Sequence, residues 1–195
     1  MIFEVEYNLR IMKRTFIAIP IHAGPKLRET HTKLRNELKN EKIKWVDADH
    51  FHLTLFFLGD TRDDQLKQVD RMLASLVKEF PDFTIRLEGL GVFKNISKPR
   101  VLWAGIKDYE PMREIKTAID RQMSSLGFEP DKREFKPHLT LARIKWIDHR
   151  DKLRQLIDEH QQSEWQSAHI DQIIYFESRL TQSGPVYTPI GRYKL

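Results

Sequence analysis

Hydrophobic and polar positions follow the same order of patterns twice along the chain. Short runs typical of β-strands lie at residues 15–21 and 100–106. Each run is followed by a segment in which leucine, isoleucine or methionine recurs at helical spacing, at residues 25–38 and 111–126. A proline stands near the first turn of each predicted helix, where its missing N–H is tolerated. Each half of the chain is therefore predicted to begin with a strand and a helix.

The next part of each pattern is centred on a repeated tetrapeptide. His-Leu-Thr-Leu occupies residues 52–55 and returns 86 residues later at residues 138–141. An amphipathic helix is predicted after each copy, at residues 63–80 and 148–160. Because the neighbouring elements recur in the same order and at nearly the same offset, the tetrapeptides indicate a duplicated unit and not a chance match.

Each half closes with a further predicted strand, at residues 83–93 and 168–180, and a C-terminal run at residues 187–195 also has strand character. The predicted fold is α+β, with two pseudo-symmetric lobes and an active-site cleft between them. Each lobe is expected to be a mostly antiparallel sheet backed by helices. The pattern leaves the strand order open, including whether a strand crosses into the sheet of the other lobe.

The repeat also defines the expected domain organisation. Residues 1–12 stand outside it and are predicted to be an N-terminal extension, while residues 13–195 are predicted to form a single bilobal domain. The halves of this domain, offset by about 86 residues, run from roughly 13 to 97 and 98 to 182, followed by the C-terminal strand.

Composition and charge narrow the possible chemistry. The chain has no cysteine, which excludes disulfides, thiolate nucleophiles and zinc–thiolate sites. The apolar run at residues 16–21 is far shorter than the roughly 20 residues that a bilayer requires, so we expect no membrane span and no membrane partner. We also expect the protein to be cytoplasmic and a monomer. The net charge of +5 suits a polyanionic partner or solubility alone. If the charge serves a polyanionic partner, basic side chains should line the cleft.

Strand geometry predicts where the repeated motif points. In a β-strand, residues i and i+2 share a face, so His52 and Thr54 project together, and His138 and Thr140 do the same. The intervening leucines point into the packed layer between sheet and helices. If the pseudo-twofold axis passes near both strands, two imidazoles and two hydroxyls meet in one cleft.

Two histidines at matched positions favour acid–base chemistry. A single histidine on a strand is most often an ordinary half-buried residue, but packing alone would accept other side chains in at least one copy. With an unperturbed pKa near 6.5, one imidazole can be neutral while the other is protonated. The nearest approach to a metal-ligand pair is His50 with His52, and there is no HExxH motif. We therefore predict neither a metal nor another cofactor.

The contexts of the two motifs resemble the 2H phosphoesterase superfamily, whose members carry paired HxTx motifs. Within it, the sequence is most similar to the bacterial and archaeal RNA 2′,3′-cyclic phosphodiesterases, also called 2′-5′ RNA ligases. The resemblance extends from about Met12 to the C-terminus. It rests on FHLTLFFLGD at 51–60, FKPHLTLAR at 135–143, RTFIAI at 14–19, PRVLWAG at 99–105, YFESRL at 175–180 and SGPVY at 183–187.

The resemblance implies hydrolysis of a terminal RNA 2′,3′-cyclic phosphate to a 2′-phosphomonoester without a metal. It assigns His52 as the proton donor to the leaving ribose oxygen and His138 as the proton acceptor that activates water. By the same resemblance, Thr54 and Thr140 hold phosphate oxygens, and Arg143 lies close to the substrate phosphate. Strict alternation would turn Arg143 away from His138, so a twist or bulge after the threonine must re-aim it.

RNA contacts beyond the phosphate are predicted less directly. Phe56, four residues after His52, is expected to line the cleft, and Phe57 to lie in the core. Arg14 and Arg100 are candidate contacts for an RNA end, such as that of a tRNA half.

Other functions stay open at this stage. Reversal of the reaction, joining RNA ends by a 2′-5′ linkage, is expected to be a secondary activity. The alternatives are a phosphodiesterase for small cyclic or 2′-5′-linked nucleotides and a noncatalytic module that binds RNA ends.

Overall fold

A computed structural model of the chain describes residues 12–182 and 184–195, so the predicted extension at residues 1–12 lies outside the described residues except for Met12. Within this part of the chain there are nine strands and four helices, with short 3₁₀ turns at Ala48–His50 and Val77–Glu79. In chain order the elements are β1 (Lys13–Pro20), α1 (Pro25–Glu37), β2 (Lys42–Trp45), β3 (His52–Thr61), α2 (Asp63–Leu76), β4 (Phe83–Phe93), β5 (Val101–Lys107), α3 (Glu110–Ser125), β6 (His138–Trp146), α4 (Arg150–Glu159), β7 (Glu164–Ile170), β8 (Gln172–Leu180) and β9 (Pro185–Lys194).

The strands form two sheets in which every neighbouring pair is antiparallel. Sheet 1 has the strand order β3-β1-β8-β9, and sheet 2 has the order β2-β6-β5-β4-β7. The two strands that carry the HxTx motifs, β3 and β6, belong to different sheets and contact each other where the sheets meet. The predicted α+β fold with two antiparallel sheets is therefore confirmed.

The two halves of the repeat exchange their last strands, β4 and β8. Sheet 1 combines β1 and β3 from the first half with β8 from the second, and sheet 2 combines β5, β6 and β7 from the second half with β2 and β4 from the first. The exchange is reciprocal, so the pseudo-symmetry is kept, but neither lobe is a continuous stretch of chain. The question that the sequence pattern left open is thus answered: β8 crosses into the sheet of the first half, and β2 and β4 cross into the sheet of the second.

Each sheet is backed by two helices, one from each half of the chain. α2 and α3 pack against each other and against strands β9 and β3 of sheet 1, while α1 and α4 pack on β7 and β4 of sheet 2. The apolar faces predicted from helical spacing are the buried ones, as Leu27 and Leu34 of α1 and Ile115 and Ile119 of α3 show. None of the helices in the described residues is long and apolar enough to span a bilayer.

One predicted strand is wrong. Residues 168–180 were expected to form a single strand, but the chain turns at Asp171 and forms β7 in sheet 2 and β8 in sheet 1. The reason is the strand exchange, because the chain must leave one sheet for the other at this point. The Asp171 carbonyl accepts a hydrogen bond from the N–H of Leu195, which fixes the turn beside the end of β9. The short strand β2 was not predicted.

Candidate active site

The catalytic candidates His52 and His138 are the first residues of β3 and β6. The leucines on either side of each threonine are buried in the core, as alternation requires. The histidine and threonine of each motif lie on the opposite face of the strand from these leucines. Thr54 is exposed there, and the other three side chains, His52, His138 and Thr140, are half-buried. Each motif therefore presents its histidine and threonine together on one face, as predicted.

Both imidazoles are oriented by the same local hydrogen bond. Nδ1–H of His52 donates to the carbonyl of His50 (2.8 Å), and Nδ1–H of His138 donates to the carbonyl of Lys136 (2.7 Å). A carbonyl can only accept, so the proton is assigned to Nδ1 in both rings. The other nitrogen, Nε2, is left to accept or donate a proton in the cleft. The repeat thus duplicates the tautomer as well as the residue.

Aromatic rings hold each imidazole in place. The His52 ring contacts Phe16, at 5.1 Å between ring centres, and Tyr187, at 5.3 Å. The His138 ring stands edge to face on Phe93 at 4.8 Å. These contacts fix ring orientation and exclude water from one side of each histidine.

The electrostatic environment is shared by the two histidines. Burial is the main factor that lowers the pKa of His52 and of His138 from the ordinary histidine value, and the positive charge of Arg143 lowers both further. The charge of one guanidinium therefore affects both imidazoles, and the strands that carry the two motifs, β3 and β6, contact each other. In the free protein this environment favours neutral rings, and the negative charge of a bound phosphate would favour protonation again.

A β-bulge turns Arg143 into the cleft. The pairing of β6 with β5 skips Leu141, because Thr140 and Ala142 face consecutive residues of β5. Leu141 and Ala142 are consequently both buried, and Arg143 is exposed on the same face as His138. The bulge that the predicted role of Arg143 requires is present.

The same bulge in β3 reverses the prediction for the two phenylalanines. The pairing of β3 with β1 skips Leu55 between Thr54 and Phe56. Phe56, expected to line the cleft, is 4% exposed in the core, while Phe57, expected in the core, is 51% exposed. The inserted residue changes the alternation and exchanges their faces. Phe57 therefore occupies in β3 the position that Arg143, 86 residues later, occupies in β6.

The two predicted arginine contacts have different surroundings. The guanidinium carbon of Arg14 lies 4.8 Å from the centre of the Phe57 ring. Arg100 lies just before β5 with an exposed side chain, and its carbonyl accepts a hydrogen bond from the N–H of Ile144 (2.8 Å). Arg14 thus lies beside Phe57, and the RNA contacts of both arginines stay predictions.

Tyr187 is a site residue that the sequence reasoning did not select. Burial raises the pKa of its phenol, while the positive charges of Arg143 and Arg14 lower it. The ring therefore lies near both arginines as well as against His52. In the sequence, Tyr187 contributed only to the SGPVY segment of the family resemblance. Its position became evident only because β9 joins sheet 1 beside β8.

The basic residues only partly follow the expectation that they line the cleft. Lys44 of β2 pairs with Arg143 across the strands, and its ammonium group approaches Gly184 in the turn between β8 and β9. Many other cations instead form ion pairs on the surface, such as Lys13 with Glu177 (3.1 Å). Across residues 12–182 and 184–195, no group of three or more histidine, aspartate or glutamate side chains is arranged to hold a metal ion.

Comparison with known proteins agrees with this geometry. The model of the LigT-like phosphoesterase family matches residues 17–103 and 107–187. The chain belongs to the LigT-like phosphoesterase family. The matched segments include both HxTx strands and Tyr187, so the family resemblance predicted from the motifs is confirmed.

Relatives of this LigT-like phosphoesterase cover nearly its whole length. An RNA 2′,3′-cyclic phosphodiesterase of Methanothermobacter thermautotrophicus is 32% identical over 93% of this chain and 98% of its own length. One of Aeropyrum pernix is 34% identical over 83% and 93%. Among solved structures, E. coli LigT complexed with 3′-AMP superposes with a TM-score of 0.74 at 24% identity, covering 95% of this chain and 99% of LigT. That similarity supports the fold.

Proposed function

We propose that this LigT-like phosphoesterase hydrolyses 2′,3′-cyclic phosphates at RNA ends to 2′-phosphomonoesters. The observation that carries the proposal is the pair of contacting HxTx strands, β3 and β6, whose histidines make the same Nδ1–H hydrogen bond to a carbonyl two residues earlier. Relatives about one-third identical to this chain are RNA 2′,3′-cyclic phosphodiesterases, which supports the same substrate here.

The two histidines divide the proton transfers. Nε2 of His138 takes a proton from water as the water oxygen bonds to phosphorus. Nε2–H of His52 gives a proton to the 3′-oxygen as the bond between phosphorus and that oxygen breaks. Each transfer contributes about 10²–10⁴-fold to the rate. The oriented Nδ1 hydrogen bonds support these roles, because they leave Nε2 of each ring as the reactive atom.

The phosphate is held by neutral and charged donors on the same face. The hydroxyls of Thr54 and Thr140 donate to the two non-bridging oxygens, and Arg143 compensates the negative charge that develops on them. Donors placed in this way contribute about 10²–10³-fold each in favourable sites. The exposure of Thr54 and Arg143 supports this role, because a substrate can reach them.

Ligation follows from the same arrangement. A 5′-hydroxyl in place of water would give a 2′-5′ linkage with the same roles: His138 takes the proton of the 5′-hydroxyl as its oxygen bonds to phosphorus, and His52 protonates the leaving 3′-oxygen. In water we expect hydrolysis to dominate. Substrates such as tRNA halves, the monomeric state and the cytoplasmic location stay predictions.

The test is turnover of an oligonucleotide ending in a 2′,3′-cyclic phosphate in the presence of EDTA. The product is then analysed to determine whether its phosphate is on the 2′- or the 3′-oxygen. We expect a 2′-phosphate from the wild type and losses of at least about 10²-fold for His52→Ala and for His138→Ala. His169→Ala is the matched control, because His169 is exposed on β7 and faces Asp82 at 3.5 Å. Wild-type rates in both cleft variants would refute the proposal.

The same assay separates the alternatives. A much higher kcat/KM for a mononucleotide or a 2′-5′-linked dinucleotide than for the RNA end would favour a small-nucleotide phosphodiesterase. Tight, salt-dependent RNA binding without product would favour a noncatalytic module.

A further inference from the structure

The buried faces of α1 and α3 carry one basic residue each, at equivalent positions of the repeat. Three buried residues of α1 are followed 85 residues later by three buried residues of α3: Leu27, His31 and Leu34 by Met112, Lys116 and Ile119. In both helices the middle residue is basic and the outer two are apolar. Since packing on a sheet requires only an apolar face, the two matched basic residues need another explanation.

The buried position of His31 has an energetic cost. Its side chain is 7% exposed, and its Nε2 has no hydrogen-bond partner among the described residues. A buried polar group without a partner destabilises a fold, and an apolar side chain at this position would avoid that loss. Stability alone therefore does not account for the histidine.

The ring of His31 contacts segments that belong to both motif strands. It stands edge to face on Phe51, the residue before His52, at 5.3 Å between ring centres. It makes the same contact with Trp45, the last residue of β2, at 5.2 Å. Trp45 pairs across the strands with Ala142 of β6. From the helix side of sheet 2, His31 thus links the start of β3 with the middle of β6.

The backbone carbonyl that acts on the His31 ring belongs to the bulge of β6. Leu141 is the residue that the pairing of β6 with β5 skips, and its carbonyl accepts a hydrogen bond from the N–H of Val46 (2.9 Å). A carbonyl oxygen has a second lone pair, which can accept another hydrogen bond. Burial is the main factor that lowers the pKa of His31, and the carbonyl of Leu141 opposes this shift.

Lys116 has the corresponding placement in the second half of the repeat. Its ammonium group, which pairs with a carboxylate of the same helix, lies 5.7 Å from the ring centres of both Phe56 and Phe135. Phe56 follows the bulged Leu55 of β3, and Phe135 lies in the segment that leads to His138. Each basic residue thus contacts the segment before its own motif and approaches the bulge in the motif strand of the other half.

We propose that His31 is a positioning residue for the reaction: an N–H of its ring holds the carbonyl of the Leu141 bulge and thereby keeps Arg143 directed at the phosphate. Arg143 is two residues after Leu141, and loss of the bulge would turn its side chain to the opposite face of β6. The inference rests on the proposed function, because it concerns how one residue of the same cleft is directed. It adds a residue that lies outside the cleft and touches no substrate.

The test is a double-mutant cycle between His31 and Arg143, with kcat/KM measured on an oligonucleotide ending in a 2′,3′-cyclic phosphate. His31→Leu keeps a side chain of similar volume in the buried layer and removes both ring nitrogens. Because a misplaced group loses much of its effect, we expect it to lower kcat/KM by roughly 10- to 100-fold when Arg143 is present. In the Arg143→Ala background the same change should lower kcat/KM by less than about 2-fold. His31→Gln, which keeps an N–H donor, should recover part of the loss.

Tyr193→Phe is the matched control for a general loss of stability. It removes the hydrogen bond from the buried Tyr193 hydroxyl to Asp70 of α2 (2.6 Å), on the helix side of sheet 1. It should leave kcat/KM within about 2-fold in both backgrounds. If His31→Leu does not fold, His31→Met takes its place in the cycle, because it also lacks an N–H donor.

The outcomes separate the inference from the function. A wild-type kcat/KM in His31→Leu, the same loss with and without Arg143, or no recovery in His31→Gln would refute the positioning role while the proposed function stands. If the wild type does not turn over the RNA 2′,3′-cyclic phosphate end at all, the proposed function itself fails.

Discussion

Glu41 offers a sharp test of how the strand of His138 is held, because its carboxylate is buried and fully engaged. Its side chain is 3% exposed just before β2, which pairs with β6. The carboxylate accepts hydrogen bonds from the N–H of Asp148 (2.7 Å), the N–H of His149 (3.1 Å) and Nδ1–H of His149 (2.7 Å). One side chain thus joins the edge of sheet 2 to the start of α4, directly after β6.

Glu41→Gln keeps the shape and removes the charge. Hydrogen bonds to charged groups contribute about 1.5–3 kcal/mol each, and glutamine keeps one accepting oxygen, so we expect a loss of about 2 kcal/mol of unfolding free energy. For a chain of this size that corresponds to a fall in Tm of roughly 4–8 °C. Thermal unfolding followed by circular dichroism at pH 7 measures it.

The pH dependence gives an independent check. Burial raises the pKa of Glu41, but the hydrogen bonds from Asp148 and His149 outweigh it and hold the pKa below the ordinary value of 4.5. A carboxylate with a lowered pKa stabilises the fold above its unfolded-state pKa, and this contribution is lost as the pH falls through the folded-state value. The difference in Tm between Glu41→Gln and the wild type should therefore shrink as the pH falls below about 4.5.

Glu37→Gln is the matched control for this effect. Glu37 is partly exposed and pairs with Lys152 at 2.8 Å on the surface, where ion pairs contribute little. Its change in Tm should be clearly smaller than that of Glu41→Gln. Equal shifts in the two variants, or a Glu41→Gln shift that is the same at pH 3 and pH 7, would refute the reasoning.

Three further predictions concern the cleft. Arg143→Ala should lower kcat/KM for an RNA 2′,3′-cyclic phosphate by about 10²–10³-fold, with partial recovery in Arg143→Lys; an unchanged value would contradict its placement at the phosphate. Because burial lowers the pKa of both His52 and His138, both limbs of the bell-shaped kcat/KM profile should lie at lower pH than for ordinary histidines, and a flat profile from pH 5 to 9 would contradict the acid–base roles. A Cβ on Gly91 would clash with the ring of Trp103 on the neighbouring strand β5, so Gly91→Ala should lower stability by about 1–3 kcal/mol in denaturant unfolding; full stability would contradict this packing.

Most elements could be predicted because their signals are local. The alternating leucines of the HxTx motifs and the helical spacing of α1 and α3 depend only on neighbouring residues. The predicted strand at residues 83–93 has the same bounds as β4. The 86-residue offset also gave the pairing of His52 with His138, since duplication places equivalent residues at equivalent positions.

The strand exchange could not be predicted, because it depends on contacts between distant parts of the chain. Nothing in residues 83–93 distinguishes a strand of sheet 1 from one of sheet 2. The division of residues 168–180 at Asp171 follows from the same exchange. The four-residue strand β2 is too short to give a pattern of its own.

The bulges limited what could be said of the site. A bulge adds one residue to a strand and reverses the facing of every residue after it, with no mark in the sequence at Leu55 or Leu141. The bulge in β3 turned Phe57 toward the cleft and Phe56 into the core, and the bulge in β6 turned Arg143 to the face of His138. Only the resemblance pointed to the bulge after Thr140, because the implied role of Arg143 required it.

The central claim is that His52 and His138 act together on one phosphate, and a double-mutant cycle tests it most directly. We would measure kcat/KM on an oligonucleotide ending in a 2′,3′-cyclic phosphate for the wild type, His52→Ala, His138→Ala and the double variant. Groups that act as one catalytic unit are strongly non-additive, so the double variant should be hardly slower than either single variant. Losses that multiply in the double variant, or a single variant with the wild-type rate, would contradict the claim.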